Sequence, residues 1–431
     1  MIRRLLVAAL LVAFAAPPAG ADPRVAPVDA GGARAFAQAD PGVPLAGVML
    51  HVRAGLDRQT PVQNGLAALT AEAVLRTAVP AGPGPALPLV DAVDAAGASI
   101  SYAVGAQGIR FYLEGTPQRL TVAAPLVAAA LRVPAFDAPT LAAARTALGE
   151  RIADDDGDPR LVGRTMLRSA YYRGGAALPP LGNPGTLAAL GPPDVRAFFD
   201  AWYLRGDAVA SAVGRTGDAT DGASRLLLTA LRAGKARPTA LVARPFGAEP
   251  KRIVTHRDLG APYVLLGFAA PALGERDFPA ALVMRALLGS VFERAAATTL
   301  SPVLRSVGLI YGYDTAPAQL VIWINGSRIE PEIGLSGIDA IAKAAATKPL
   351  SAAVLARFKE TARGEWALET VTLDQRASAI GNAVELGLAA GAADDVGAAI
   401  ARVTAADVQR VAKKYFRKFD VALVLPRGNG T

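Results

Sequence analysis

The 431-residue sequence contains no cysteine and only two histidines, His51 and His256. Without cysteine there can be no disulfide scaffold, thiolate metal site, iron–sulfur cluster or cysteine nucleophile. A zinc site with three protein ligands normally takes at least two of them from histidine, so His51 and His256 would have to meet. Their separate strand positions argue against a shared site. Lysine is also scarce: eight of the 45 basic residues are Lys, and the richness in Arg, Ala, Gly and Pro reads as GC-biased coding rather than as a nucleic-acid surface, despite a net charge of +8. The densest basic cluster, Lys413-Lys414 with Arg417-Lys418, reads as a solvated helix end. No nucleic-acid partner is expected. No Ser stands in a nucleophile-elbow context and no His is placed to act as its base, which disfavours a self-sufficient hydrolase.

Hydrophobic residues make up 52% of the chain and charged residues 19%, enough apolar material for a large core. Because single cores stop growing at roughly 250–300 residues, about two domains are expected. At the start, Arg3-Arg4, the apolar run Leu5 to Ala16, Pro17-Pro18 and the small residues Ala19-Gly20-Ala21 follow the layout of a secretory signal over 1–21, cleaved near Ala21. That run is too short to span a bilayer, and later apolar stretches are broken by charges or prolines, so the expected product is exported, periplasmic and without a membrane anchor.

The strongest pattern is an internal repeat. Gly97 to Gly115 (GASISYAVGAQGIRFYLEG) aligns without a gap with Gly308 to Gly326 (GLIYGYDTAPAQLVIWING) at an offset of 211. Both alternate as β-hairpins. DVRAFFDAWY from Asp194 and DVQRVAKKYF from Asp407 match at an offset of 213, each an amphipathic helix followed by a short apolar strand. Thr404 with Asp407 suggests a capped start for the second of these helices. Val48, Leu50 and Val52 correspond to Val264, Leu266 and Phe268 at an offset of 216. Three matches in the same order give two homologous α+β domains, 25–235 and 251–431, joined by a linker at 236–250. Each is expected to be a mostly antiparallel sheet with helices packed on one face.

With that arrangement the chain resembles the insulinase-like metallopeptidases, which include the mitochondrial processing peptidases, over nearly all of its mature length. Active members carry Gly-Leu-Ala-His-x-x-Glu-His on a helix of the first domain, where two His one turn apart hold zinc and the Glu polarises its water. Here Gly65-Leu66-Ala67 keeps the frame, but Ala68, Ala71 and Glu72 stand at the first His, the catalytic Glu and the second His. Glu150 falls about where the family's further zinc ligand lies, within a helix read as ending before an Asp154-Asp155-Asp156 turn. In the second domain Leu304-Arg305-Ser306-Val307-Gly308-Leu309-Ile310-Tyr311 is similar to the family's substrate-holding stretch, with two residues rather than three between Arg305 and Gly308. Arg305 is expected to end a helix and Tyr311 to begin the hairpin strand, with Tyr313 as an alternative to Tyr311.

The resemblance implies a non-catalytic, substrate-binding subunit. It implies no cofactor in this chain, zinc in a partner subunit with an intact His-x-x-Glu-His motif, and a peptide substrate held by Arg305 and Tyr311. The alternative is a structural or scaffold pseudopeptidase with no role in proteolysis.

Overall fold

The computed structural model describes residues 24–235, 240–297, 304–326, 340 and 343–427. The expected signal segment lies outside them, as do linker residues 236–239. The strands of the first half are β1 (Val25–Pro27), β2 (Arg34–Ala39), β3 (Ala46–Val52), β4 (Ala78–Val79), β5 (Leu87–Pro88), β6 (Ser99–Val104), β7 (Ile109–Gly115) and β8 (Val209–Gly214). Its helices are α1 (Leu66–Arg76), α2 (Leu89–Ala95), α3 (Pro117–Arg132), α4 (Ala138–Gly157), α5 (Pro159–Tyr171), α6 (Pro184–Ala189), α7 (Pro192–Trp202) and α8 (Asp218–Ala230). The second half contributes β9 (Arg252–Arg257), β10 (Tyr263–Ala270), β11 (Leu304–Gly312), β12 (Ala318–Gly326) and β13 (Asp420–Pro426). Its helices are α9 (Phe278–Ala297), α10 (Ala352–Leu368), α11 (Leu373–Glu385), α12 (Val396–Ala401) and α13 (Ala405–Tyr415).

Six strands form one sheet in the order β1-β2-β8-β3-β7-β6, and five form another in the order β11-β12-β10-β13-β9. Matching β2 to β9, β8 to β13, β3 to β10, β7 to β12 and β6 to β11 superimposes the two orders, with β1 as the extra edge strand. Both sheets are antiparallel except for the corresponding parallel pairs β2/β8 and β13/β9. The repeat read from the sequence is therefore a repeat of topology. The expected hairpins are β6/β7 and β11/β12, and α13 starts on the expected capping box, Thr404 with Asp407.

The central strands carry two faces with two different partners. On β3, Val48, Leu50 and Val52 enter the core beneath their own helices, and Val264, Leu266 and Phe268 of β10 do the same in the second half. The alternate residues face the other half of the chain. Helix α5 packs Val162 and Leu167 against Leu265 of β10 and Ala422 and Val424 of β13. Helix α11 packs Ala377 and Ile380 against Met49 of β3 and Val213 of β8. Each sheet thus has its own helices on one face, as expected, and one helix lent by the opposite half on the other. Burial on both faces explains why β3 and β10 read as nearly continuous apolar runs.

Two glycines allow this exchange. A Cβ on Gly163 of α5 would lie 2.2 Å from Leu265 Cδ1, and one on Gly381 of α11 would lie 2.0 Å from His51 Nε2. By the same offset of 216 Leu265 corresponds to Met49 and His51 to Gly267, so the imidazole stands where the other half has no side chain. The segment between the halves is pinned at its described end: the Arg173 amide donates to Val242 O (2.8 Å), the Arg244 amide to Tyr171 O (2.7 Å), and the Arg244 side chain pairs with Asp420 (2.8 Å).

Candidate functional site

Helix α1 begins at Gly65, whose φ of +94° lies in the left-handed region that favours glycine, and a Cβ there would lie 2.8 Å from Leu187 Cδ2. The retained Gly of the Gly-Leu-Ala frame is therefore a conformational and packing requirement. The Ala67 amide donates to Gln59 Oε1 (3.1 Å), filling one open donor of the first turn. Ala68 and Ala71 are fully buried in the core of the first half. Neither carries a donor atom for a metal.

Glu72 is 4% exposed, and its carboxylate is held by Arg76 one turn on (2.8 Å) and by Arg151 of α4 (3.8 Å). The Arg151 guanidinium also lies over the Tyr102 ring, 4.7 Å from its centroid. Burial first, then the Glu72 carboxylate, pushes the Tyr102 phenol well above its usual range. Glu150, the residue expected near the further ligand position, is exposed. Its neighbour Arg151 is the one that crosses from α4 to α1. Among the described residues no three His, Asp or Glu side chains converge on a common point. This donor set does not fit zinc, because two of the three motif positions are methyl groups and the third is already neutralised by guanidinium. Sequence reasoning missed Arg151, while the spacing of Glu72 and Arg76, four residues apart, was a legible ion-pair signal.

The two histidines lie in different sheets. His256 is exposed on edge strand β9. His51 is fully buried against α11, with Nδ1 4.0 Å from Glu385 Oε1. Burial, reinforced by the Arg110 charge, holds the imidazole down at about 3, so it stays neutral. Burial pushes the Glu385 carboxyl up to about 7 against the opposing pull of Arg53 and Arg110. Arg110 reaches Asp314 (3.5 Å) and Asn382 (3.4 Å), and Arg53 donates to the Glu385 carbonyl, so charged groups from both halves meet here.

Arg305 and Tyr311 both lie on β11, which corrects the expectation that Arg305 ends a helix. The strand register shifts between Leu304 and Ser306, so Arg305 is the extra residue of a bulge on the sheet's edge strand. The apolar alternation of Val307, Leu309 and Tyr311 extends back along β12 and carries the strand past the point where a helix was expected. Tyr311 is 8% exposed, and its hydroxyl donates to the Pro271 carbonyl inside the core. Its single phenolic proton is used there, so the geometry gives Tyr311 an internal role rather than an open donor beside Arg305. Tyr313 packs against Phe278 and Trp366 in the same aromatic cluster. A further correction concerns α4, which runs through Asp154, Asp155 and Asp156 to Gly157; the break comes at Asp158, whose carboxylate caps α5.

No protein-family model matches this sequence, and no curated protein does either. Solved structures do match its fold. A protease from Helicobacter pylori is similar with a TM-score of 0.80 and 14% identity, covering 94% of this chain and 100% of that one. A peptidase M16 inactive domain from Pseudomonas fluorescens is similar with a TM-score of 0.78 and 15% identity, covering 94% and 99%. A putative M16-like peptidase from Alicyclobacillus acidocaldarius follows with a TM-score of 0.73 and 14% identity, covering 94% and 98%. Among the described residues no helix is long and apolar enough to cross a membrane.

Proposed function

We propose that this chain, folded as the M16-like peptidases are, is the non-catalytic, substrate-binding subunit of an exported heterodimeric zinc peptidase. Its partner carries the zinc and the intact His-x-x-Glu-His motif. The observation that carries the reading is α1, where the fold is kept, the first-His and catalytic-Glu positions are buried alanines and Glu72, at the second-His position, is tied to Arg76 and Arg151. The likeness to a domain described as inactive supports the same reading. The secretory pattern of residues 1–21 supports a periplasmic site of action.

In this scheme the partner supplies the metal that activates water. This chain binds and orients the peptide: among the described residues β11 is an edge strand, where an extended segment can add. Arg305, on its bulge, donates to a peptide carbonyl, and Tyr311 anchors the strand through Pro271. Alone, the chain should leave unfolded peptides intact, whereas with a His-x-x-Glu-His partner it should support cleavage that a chelator abolishes. Chelator-sensitive cleavage by the purified chain alone would overturn the proposal.

One observation favours a second reading, that of a scaffold pseudopeptidase: the inward hydroxyl of Tyr311 removes half of the expected substrate-holding pair. A complex that assembles with Arg305→Ala and cleaves at the wild-type rate would select the scaffold.

A further inference from the structure

A cavity of about 640 Å³ opens between the segment 243–248, the end of α5 and the residues that follow α13. It takes no part in the function proposed above. Its size falls within the range of small-molecule sites, about 300–1,000 Å³. One wall is apolar and aromatic. Phe246 is 60% exposed at the rim and meets Tyr415 edge-on at 5.7 Å, and Gly267 and Ala269 of β10 form the floor.

The charged wall is one-sided: Arg244, Lys414, Arg417 and Lys418 line it, against the single carboxylate of Asp420. Most of these charges are already occupied. Asp420 pairs with Arg244 (2.8 Å) and accepts from the Lys251 amide (2.7 Å), Lys418 pairs with Glu249 (2.8 Å) and Lys414 with Asp277 (3.1 Å). Among the described residues Arg417 is exposed and has no ion-pair partner. Behind the floor, Gln319 is 8% exposed with its Nε2 unpartnered, and a Cβ on Gly267 would lie 2.8 Å from that nitrogen. An open cation and a solvent-exposed ring thus share one concavity.

We propose that this cavity binds a carboxylate carried on an apolar, ring-sized body. Arg417 pairs with the carboxylate while Phe246 and Tyr415 flank the body. A free organic acid and the C-terminal residue of a peptide share this chemistry. Titrating the full chain with 3-phenylpropionate, 3-phenylpropan-1-ol, Gly-Gly-Phe and its C-terminal amide, by calorimetry, separates them. The acid should bind and the matched alcohol should bind more weakly by about tenfold. Arg417→Gln and Phe246→Ala should each weaken the acid by about fivefold with unchanged melting temperature, since both side chains are exposed. Tighter binding of Gly-Gly-Phe than of 3-phenylpropionate, lost on amidation, assigns the site to peptide C-termini; the reverse order assigns it to free acids. No acid binding up to about 10 mM, equal binding of acid and alcohol, or an acid affinity indifferent to Arg417→Gln would each overturn the proposal.

Discussion

At Glu72 a buried carboxylate is satisfied by two guanidinium groups that each remain partly in solvent, with side-chain exposures of 33% for Arg76 and 41% for Arg151. Removing the carboxylate leaves those cations free to rehydrate, so the cost is smaller than for a fully buried pair. Glu72→Gln should lower the unfolding free energy by about 1–2 kcal/mol, measured by urea denaturation. Arg151→Gln in the Glu72→Gln background should then cost less than it does alone. The alanines at 68 and 71 were legible in the sequence because a motif with fixed spacing exposes every missing member. The ion pair from Arg151 to Glu72 was not legible, since it needs α4 to lie against α1.

His51 and Glu385 supply opposing pH terms. The imidazole is held at about 3 in the folded chain against an ordinary 6.5, so its contribution is present above pH 6.5 and is lost as pH falls towards 3. Glu385 titrates at about 7 instead of 4.5, so its contribution is present below pH 4.5 and is lost as pH rises through 7. Between those limits the two slopes oppose each other. Glu385→Gln removes only the second, so the variant should gain stability relative to wild type as pH rises from 4.5 to 7 and hold that gain above it. A relative stability independent of pH, from denaturation curves across that range, would contradict the assignment.

Among the elements, hairpins β6/β7 and β11/β12, central strands β3 and β10 and the capped helix α13 were legible, because alternation, turn residues and capping boxes are local. The strand carrying Arg305 was misread because its extent is set by pairing with β12, a non-local cause. The exchanged helices were invisible for the same reason: nothing local in α5 or α11 says which sheet it will cover. Their glycines are where this shows. Gly381→Ala would drive a Cβ into the His51 ring and should cost about 3 kcal/mol or more. Gly364→Ala, at an exposed position of α10 with nothing within 4 Å, should instead stabilise by about 0.5–1 kcal/mol. Thermal denaturation of the two variants gives opposite signs if α11 is seated on β3.

For the whole molecule, the exchange makes each half part of the other's core. Without α11 the first sheet would expose Met49 and Val213, which are now buried, and α11 itself would bare Ile380. At about 1.5–3 kcal/mol for each large side chain, that face alone is worth on the order of 5 kcal/mol, which is comparable with the net stability of an ordinary domain, about 5–15 kcal/mol. Polar ties across the same boundary would be lost as well, including Arg376 with Asp40 (2.9 Å) and the Tyr171 hydroxyl donating to Ala318 O (2.9 Å). Two independently folding units on a flexible tether would survive a cut in the segment between them and could be studied singly. Reciprocally covered sheets should not: residues 24–235 expressed alone should bind a hydrophobic dye and unfold without a cooperative transition. Co-expression with 240–427 should restore a single transition near that of the intact chain. A cooperative, dye-silent first half on its own would show that α11 is dispensable to the sheet it covers.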